Sequence, residues 1–191
     1  VGQKIGEANG FISADVVCSV SGTVKAVEPR LLVSGGQVMS VVVENDGLYE
    51  AIPGFGEDRD YHKMSKEEII NAVKEAGIVG MGGAGFPTHV KLMPKNPEKI
   101  DTILINGSEC EPYLTSDYRM MLEEGEHVVE GLKIELSLFP GAKGVIGIED
   151  NKPEAIRHME ELTANEPDIR VQPLKTKRSE EHTSELQSPA M

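Results

Sequence analysis

The chain has 191 residues, 39% of them hydrophobic, and a formal net charge of −13. That length suits one domain or two small ones, and no apolar run is long enough to cross a bilayer as a helix. The acidic balance, with only 4% aromatic residues, argues against nucleic acid, which needs clustered Lys and Arg and stacking platforms. It also leaves no polybasic membrane-binding face. Cys18 and Cys110 lie too far apart for metal-ligand spacing. Two such cysteines build no disulfide framework, and a reducing cytosolic setting is expected; no signal peptide is visible behind Val1-Gly2-Gln3-Lys4.

Residues 1–49 read as short strands. Val16-Val17, Thr23-Val24, Ala26-Val27, Leu31-Leu32-Val33 and the run from Val38 to Val43 are apolar or β-branched, and glycines punctuate them. The repeated glycine spacing around Ser21-Gly22-Thr23-Val24-Lys25-Ala26-Val27 resembles the sandwich of biotinyl and lipoyl domains. Those carriers present a modifiable lysine at a hairpin tip. Here the corresponding turn is Ser19-Val20-Ser21-Gly22 and Lys25 falls on a strand, so a structural sandwich is expected rather than a swinging arm. It reads as beginning mid-domain, truncated at its N-terminal side.

Residues 50–64, with Pro53, Gly54, Gly56 and a charge cluster, read as a polar linker. From 65 onward strands and helices alternate. A helix over 65–76 opens on the capping box Ser65-x-x-Glu68 and stops at Gly77. A strand follows at 101–105, helices at 116–124 and 126–138, and a strand at 143–148. Then come a helix at 152–163, headed by a second capping box Asn151-x-x-Glu154, and a strand at 169–172. Such alternation predicts a parallel sheet with helices on its faces. Its ligands are expected beyond the carboxyl ends of the strands. The last stretch, 178–191, has no apolar period. It reads as a translated sequencing adapter, which would make the chain a fragment cut short at residue 177.

Two segments carry the chemistry. Gly80-Met81-Gly82-Gly83-Ala84-Gly85-Phe86-Pro87-Thr88 places four glycines in six positions, letting backbone approach a planar or phosphorylated ligand closely. Asn106-Gly107-Ser108-Glu109-Cys110-Glu111-Pro112 follows the apolar run Ile103-Leu104-Ile105 and supplies an amide and two carboxylates at a strand end. Gly80-x-Gly82-x-x-Gly85 matches the dinucleotide fingerprint in letters. That fingerprint needs a strand before it, and a helix stands there instead. Cys110 has no histidine close in sequence, which disfavours a nucleophile. His89 reads as a polar residue in a first helical turn.

Taken together, Gly82-Gly83-Ala84-Gly85-Phe86-Pro87-Thr88, Lys91 and Asn106-x-x-Glu109-x-Glu111-Pro112 resemble the flavin-binding domain of the NADH-oxidising subunit of respiratory complex I. With a small β domain ahead, residues 1–177 resemble more closely the RnfC family, the electron-input subunits of Rnf ferredoxin–NAD oxidoreductase complexes. Met81 and Ser108 stand where complex I carries Arg and Asp, which also fits RnfC. The resemblance implies an α/β chain with a barrel-sandwich hybrid over 1–49 and a linker over 50–64. A partial, Rossmann-like FMN-binding domain over 65–177 would follow.

On that resemblance Gly80, Gly82, Gly83 and Gly85 line FMN, and Lys91 neutralises its phosphate. Asn106 hydrogen-bonds the flavin's polar edge, while Glu109 and Glu111 flank the nicotinamide pocket. Phe86 stacks on the adenine of NADH. Judged by the residues alone, Lys91 is equally a surface lysine, Phe86 a loop anchor and the carboxylates an acidic turn. The resemblance further implies FMN as cofactor, NAD(H) as substrate and 4Fe-4S clusters in a downstream segment. Other membrane subunits and ferredoxin would be partners, at the cytoplasmic face of the bacterial plasma membrane. An RnfC-like reductase serving cobalamin or proline reductase shares the layout, and a non-catalytic scaffold module is the reading from another class.

Overall fold

The computed structural model describes residues 1–33, 35–81, 84–109 and 113–176; the stretch from 178 onward lies outside them. The chain forms two compact units, Val1–Lys91 and Leu92–Met191.

In the first unit β1 (Lys4–Gly6) and β2 (Val16–Val17) pair antiparallel, and β3 (Gly22–Leu31) and β4 (Gln37–Asn45) form a separate hairpin. The hairpin is in register from Gly22↔Asn45 to Leu31↔Gln37, with an irregularity at Lys25 between Val24 and Ala26. Glycine is required at Gly22. Its φ is +148°, and a Cβ there would stand 1.9 Å from the Glu44 carbonyl oxygen. Lys25 lies within β3, as expected, and its Nζ pairs with Glu44 at 2.5 Å. The expected strand Leu31-Leu32-Val33 instead ends at Leu31, because Leu32 N–H bonds Gly36 O (2.7 Å) and Gly35 N–H bonds Leu32 O (2.9 Å) to close the hairpin tip.

Residues 50–64 lie back along the N-terminus. Ile52 N–H donates to Val1 O (3.0 Å), the Phe55 ring covers Gly2, and a 3-10 turn spans Tyr61–Lys63. Helix α1 (Lys66–Glu75) starts with the full capping box, each of Ser65 and Glu68 bonding the other's backbone. Ile69 and Ile70 are its buried residues. Gly77 ends it at φ +66°, where a Cβ would meet the Asp15 carbonyl oxygen at 2.3 Å. The short α2 (Thr88–Lys91) closes the unit.

The second unit is a parallel sheet in the order β5 (Thr102–Asn106), β6 (Lys143–Glu149), β7 (Ile169–Leu174). Helices α3 (Ser116–Glu123), α4 (Gly125–Leu138) and α5 (Pro153–Thr163) supply the rest. The core joins Ile146, Ile148 and Ile169 from the sheet to Leu132 of α4 and Met159 of α5. Glycine at 144 leaves room for Leu132: a Cβ there would lie 2.8 Å from its Cδ2. Three residues of the sheet, Val145, Ile146 and Ile169, need cover from the helices. All three are buried, because three helices fold onto a sheet of only three strands.

The second capping box does not form. Lys152 is the N-cap of α5 with no side-chain cap bond, and Glu154 instead accepts from Tyr118 Oη (2.9 Å). The tyrosine thus takes the carboxylate that the box would aim at the Asn151 backbone N–H.

Candidate functional site

The glycine loop is closed at its base. Val79 and Pro87 form an antiparallel bridge, Gly80 N–H donates to Phe86 O (2.8 Å), and Thr88 N–H donates to Ile78 O (3.0 Å). These bonds, with the buried ring of Pro87, fix where the intervening loop leaves and re-enters the fold. Gly85 at φ +59° adopts a conformation that L side chains rarely take. Phe86 is half-buried behind it.

Lys91 ends α2 and folds back over this base. A Cβ at Gly80 would stand 3.2 Å from Lys91 Nζ and 3.7 Å from the Phe86 carbonyl oxygen. Among the described residues no carboxylate forms an ion pair with Lys91. An ammonium without a counter-charge among the described residues, beside a glycine-rich loop, suits an anionic group, since charge-assisted contacts are the strong ones. The residues present therefore fit the phosphate end of a flavin nucleotide. Gly82 and Gly83, expected at the centre of the loop, lie outside the described residues.

In the second unit Asn106 ends β5, exposed. Its Oδ1 accepts from Ser108 N–H (3.1 Å), the self-closing turn that Asn favours. Gly107 N–H donates to Gly147 O (2.8 Å), and a Cβ at Gly107 would sit 2.9 Å from that oxygen. Glu109 turns inward, its side chain only 2% exposed. Its Oε1 accepts from Asp117 N–H (2.8 Å) in the first turn of α3, and its Oε2 faces Lys152 Nζ at 3.5 Å with no hydrogen-bond partner. Lys152 in turn lies 4.8 Å over the Tyr118 ring. The Tyr118 hydroxyl donates to Glu154, which pushes its pKa up. Cys110 and Glu111 lie outside the described residues.

Of the expected set, Gly80, Gly85, Phe86 and Lys91 thus gather in the first unit, and Asn106 and Glu109 share one strand end in the second. A groove lined by Leu122, Glu124, Gly125, His127 and His158 includes none of them. Sequence reasoning missed Lys152 and Tyr118. The one available signal was that Lys152 follows the carboxyl end of a predicted strand. His89 stands in the first turn of α2, as expected, and is buried there, 3% exposed. Burial and, less strongly, the Lys74 charge push its pKa down, while Asp15 opposes them, so the fold favours the neutral ring.

Residues 73–182 match the family model of the Nuo51 FMN-binding domain, and residues 1–48 match that of the RnfC barrel sandwich hybrid domain. An NAD+-reducing hydrogenase in its H2-reduced state aligns with 61% of this chain and 22% of its own, at 22% identity and a TM-score of 0.47, a likeness too slight to assign the fold. The RnfC-type subunit of the Na+-translocating ferredoxin:NAD+ oxidoreductase complex of Acetobacterium woodii is 46% identical over 177 residues, 93% of this chain and 40% of that protein. Its counterpart in the proton-translocating complex of Clostridium ljungdahlii is 44% identical over 158 residues, 83% of this chain and 35% of that protein. The chain therefore spans well under half the length of these two relatives. It belongs to the Nuo51 FMN-binding domain family, in the form that carries an RnfC barrel sandwich hybrid domain ahead of the flavin module.

Proposed function

We propose that the protein to which this chain belongs passes electrons between NAD(H) and ferredoxin through FMN and 4Fe-4S clusters. It would do so as a peripheral subunit of an ion-translocating Rnf membrane complex, on the cytoplasmic side of the bacterial plasma membrane. Both relatives carry the name of the same component of ferredoxin:NAD+ oxidoreductase complexes, one translocating Na+ and the other protons, and this supports the donor and acceptor. The observation that carries the reading is the Lys91 ammonium, without an ion-pair partner among the described residues and folded over the base of the glycine loop.

FMN supplies, when bound, the junction between two-electron hydride chemistry and one-electron carriers. The chain's own residues bind and orient. Gly80, Gly82, Gly83 and Gly85 admit the flavin against backbone, and Lys91 offsets the phosphate charge. Phe86 offers a ring face to adenine. Asn106 bonds the flavin's polar edge, and Glu109 and Glu111 set the acidic character of the nicotinamide pocket. The clusters are assigned to a segment outside this chain. No helix among the described residues is long and apolar enough to cross a membrane; attachment is assigned to the other subunits of the complex.

Flavin titration of the full-length protein tests the reading. The unmodified protein takes up FMN non-covalently, and Lys91→Ala weakens binding by about 1–3 kcal/mol, roughly five- to 150-fold, through loss of a charge-assisted phosphate contact. Full-length protein without flavin absorbance after reconstitution would overturn the reading. Unchanged affinity in Lys91→Ala would return that lysine to the surface.

A further inference from the structure

We infer that His89 is a positioning residue for Lys91: its neutral ring seats α2 on the fold, and protonation of that ring loosens the helix and with it the contact between Lys91 and the flavin phosphate. The inference rests on the flavin reading above and adds to it a dependence on acidity that enters from the buried side of α2.

Helix α2 is a single turn, Thr88–Lys91, and it packs on α1. Residues two apart on a helix do not share a face. Accordingly His89 is buried, while Lys91 is exposed and lies over Gly80. One turn does not hold itself as a helix in water, so the place of Lys91 depends on how firmly the buried side is seated. Thr88 N–H anchors the backbone at one end, on Ile78 O (3.0 Å). The His89 ring is the buried side chain of the turn.

That seat suits the neutral ring. Nδ1 is buried and has no hydrogen-bond partner among the described residues. In the imidazolium both ring nitrogens are donors. Protonation would therefore bury an N–H without an acceptor together with a charge, and each is costly. The charged groups around the ring do not offset this. Lys74, in the last turn of α1, repels a second cation. Asp15, just before β2, attracts one, yet its Oδ1 already accepts from Ala8 N–H (2.8 Å) and its Oδ2 pairs with Lys4 at 3.4 Å. Lys91, on α2 itself, is also a cation. Acid thus favours the arrangement that returns the ring to water, and there α2 no longer holds Lys91 over Gly80.

The test titrates the full-length protein with FMN from about pH 7.5 to about pH 5.5, a window that spans the ordinary imidazole value. Four forms are compared: the unmodified protein, His89→Phe, Lys91→Ala and the double variant. Phenylalanine keeps the bulk of a ring and takes no proton. The FMN phosphate titrates in the same window but equally within each pair that differs at residue 89, so the difference between their profiles reports that residue. With His89 present, affinity should fall at least about threefold further by the acid end than with Phe. The ceiling is about tenfold, for a ring that must shed its proton one unit below its ordinary value. In the Lys91→Ala pair the extra fall should vanish, because residue 89 acts through the lysine. Parallel profiles in the first pair overturn the inference, and so does an extra fall that persists in full without Lys91. If circular dichroism shows that His89→Phe does not fold, His89→Gln, also uncharged, takes its place in the same comparison. Failure of the flavin reading looks different: the unmodified protein then takes up no FMN at any pH. Hydrogen exchange of the Thr88 amide then decides the seat. Below about pH 6.5 that amide loses protection in the unmodified protein and keeps it in the uncharged variant, or the inference fails.

Discussion

β6 lies between two parallel strands with α4 packed on it, and Val145, Ile146 and Ile148 are buried. β3 and β4 pair only with each other among the described residues. Val24, Val27, Leu31 and Met39, residues of the same kind, are half or more exposed there, Val27 at 62%. Both regions satisfy their backbone by ladder hydrogen bonds, so β-branched sequence explains strand formation in each. Burial requires a second layer as well. A two-stranded hairpin alone is marginal in water, and this one leans on local devices: the Lys25–Glu44 pair, the Ser21 Oγ bond to Asp46 (2.6 Å) and the close approach at Gly22.

The largest expected effect belongs to the buried region. Leu132→Ala empties the space above Gly144 and should cost about 2–5 kcal/mol of stability, as large-to-small core changes do. Denaturant unfolding of the full-length protein measures it, and a cost near zero would mean that α4 does not cover the sheet. Next comes Gly22→Ala, where the new Cβ meets the Glu44 carbonyl at an unfavourable φ. The strain, about 1–3 kcal/mol, should appear in hydrogen exchange as lost protection of the β3–β4 amides while β5–β7 keep theirs. Simultaneous loss in both regions would break the comparison by showing one cooperative unit.

A smaller effect involves pH. The pKa of His89 is lower folded than unfolded, so the unfolded chain binds its proton first. The stabilising preference for the neutral ring is complete above the unfolded value near 6.5 and is lost as pH falls through it. The thermal midpoint should therefore drop between about pH 7.5 and 5, and His89→Gln should flatten the drop. The depressed carboxylates Asp15 and Asp150 lose their contribution only below the ordinary carboxylate range, which leaves the higher window to His89. If the drop survives in His89→Gln, the burial of that ring is not its cause. The smallest effect is Val27→Thr, within about 0.5 kcal/mol for an exposed position. A cost well above that in the full-length protein would sharpen the comparison by showing that something covers the hairpin face there.

Much of this architecture was legible because its signals are local. Ser65 and Glu68 formed the predicted capping box, Gly77 supplied the left-handed stop, and alternating elements announced the parallel sheet. The second box, at Asn151 and Glu154, failed for a non-local reason: Tyr118, 36 positions away from Glu154, claims its carboxylate. Leu32 and Val33 went to a turn because the backbone bonds of Gly35 and Gly36 outweighed β-branched propensity. At the candidate site, residue types and spacing singled out the glycine loop and Asn106 as a proposal. The orientation of Glu109 was invisible, because nothing in Asn106-Gly107-Ser108-Glu109 reveals which way a carboxylate turns.

The sequence by itself determined that strands and helices alternate after residue 65 and that a glycine-rich loop is followed by a lysine. It also determined that an amide and two acids follow an apolar strand. Each of these depends on neighbours within a few positions, where periodicity and backbone preference operate. Tertiary structure alone decided that Lys91 folds over Gly80, that His89 is buried with its pKa pushed down, and that Glu109 turns its carboxylate to Asp117 N–H and Lys152. A charged or polar side chain takes whichever partner the fold brings within a few ångströms, and that partner can lie 43 positions further along the chain, as Lys152 does from Glu109.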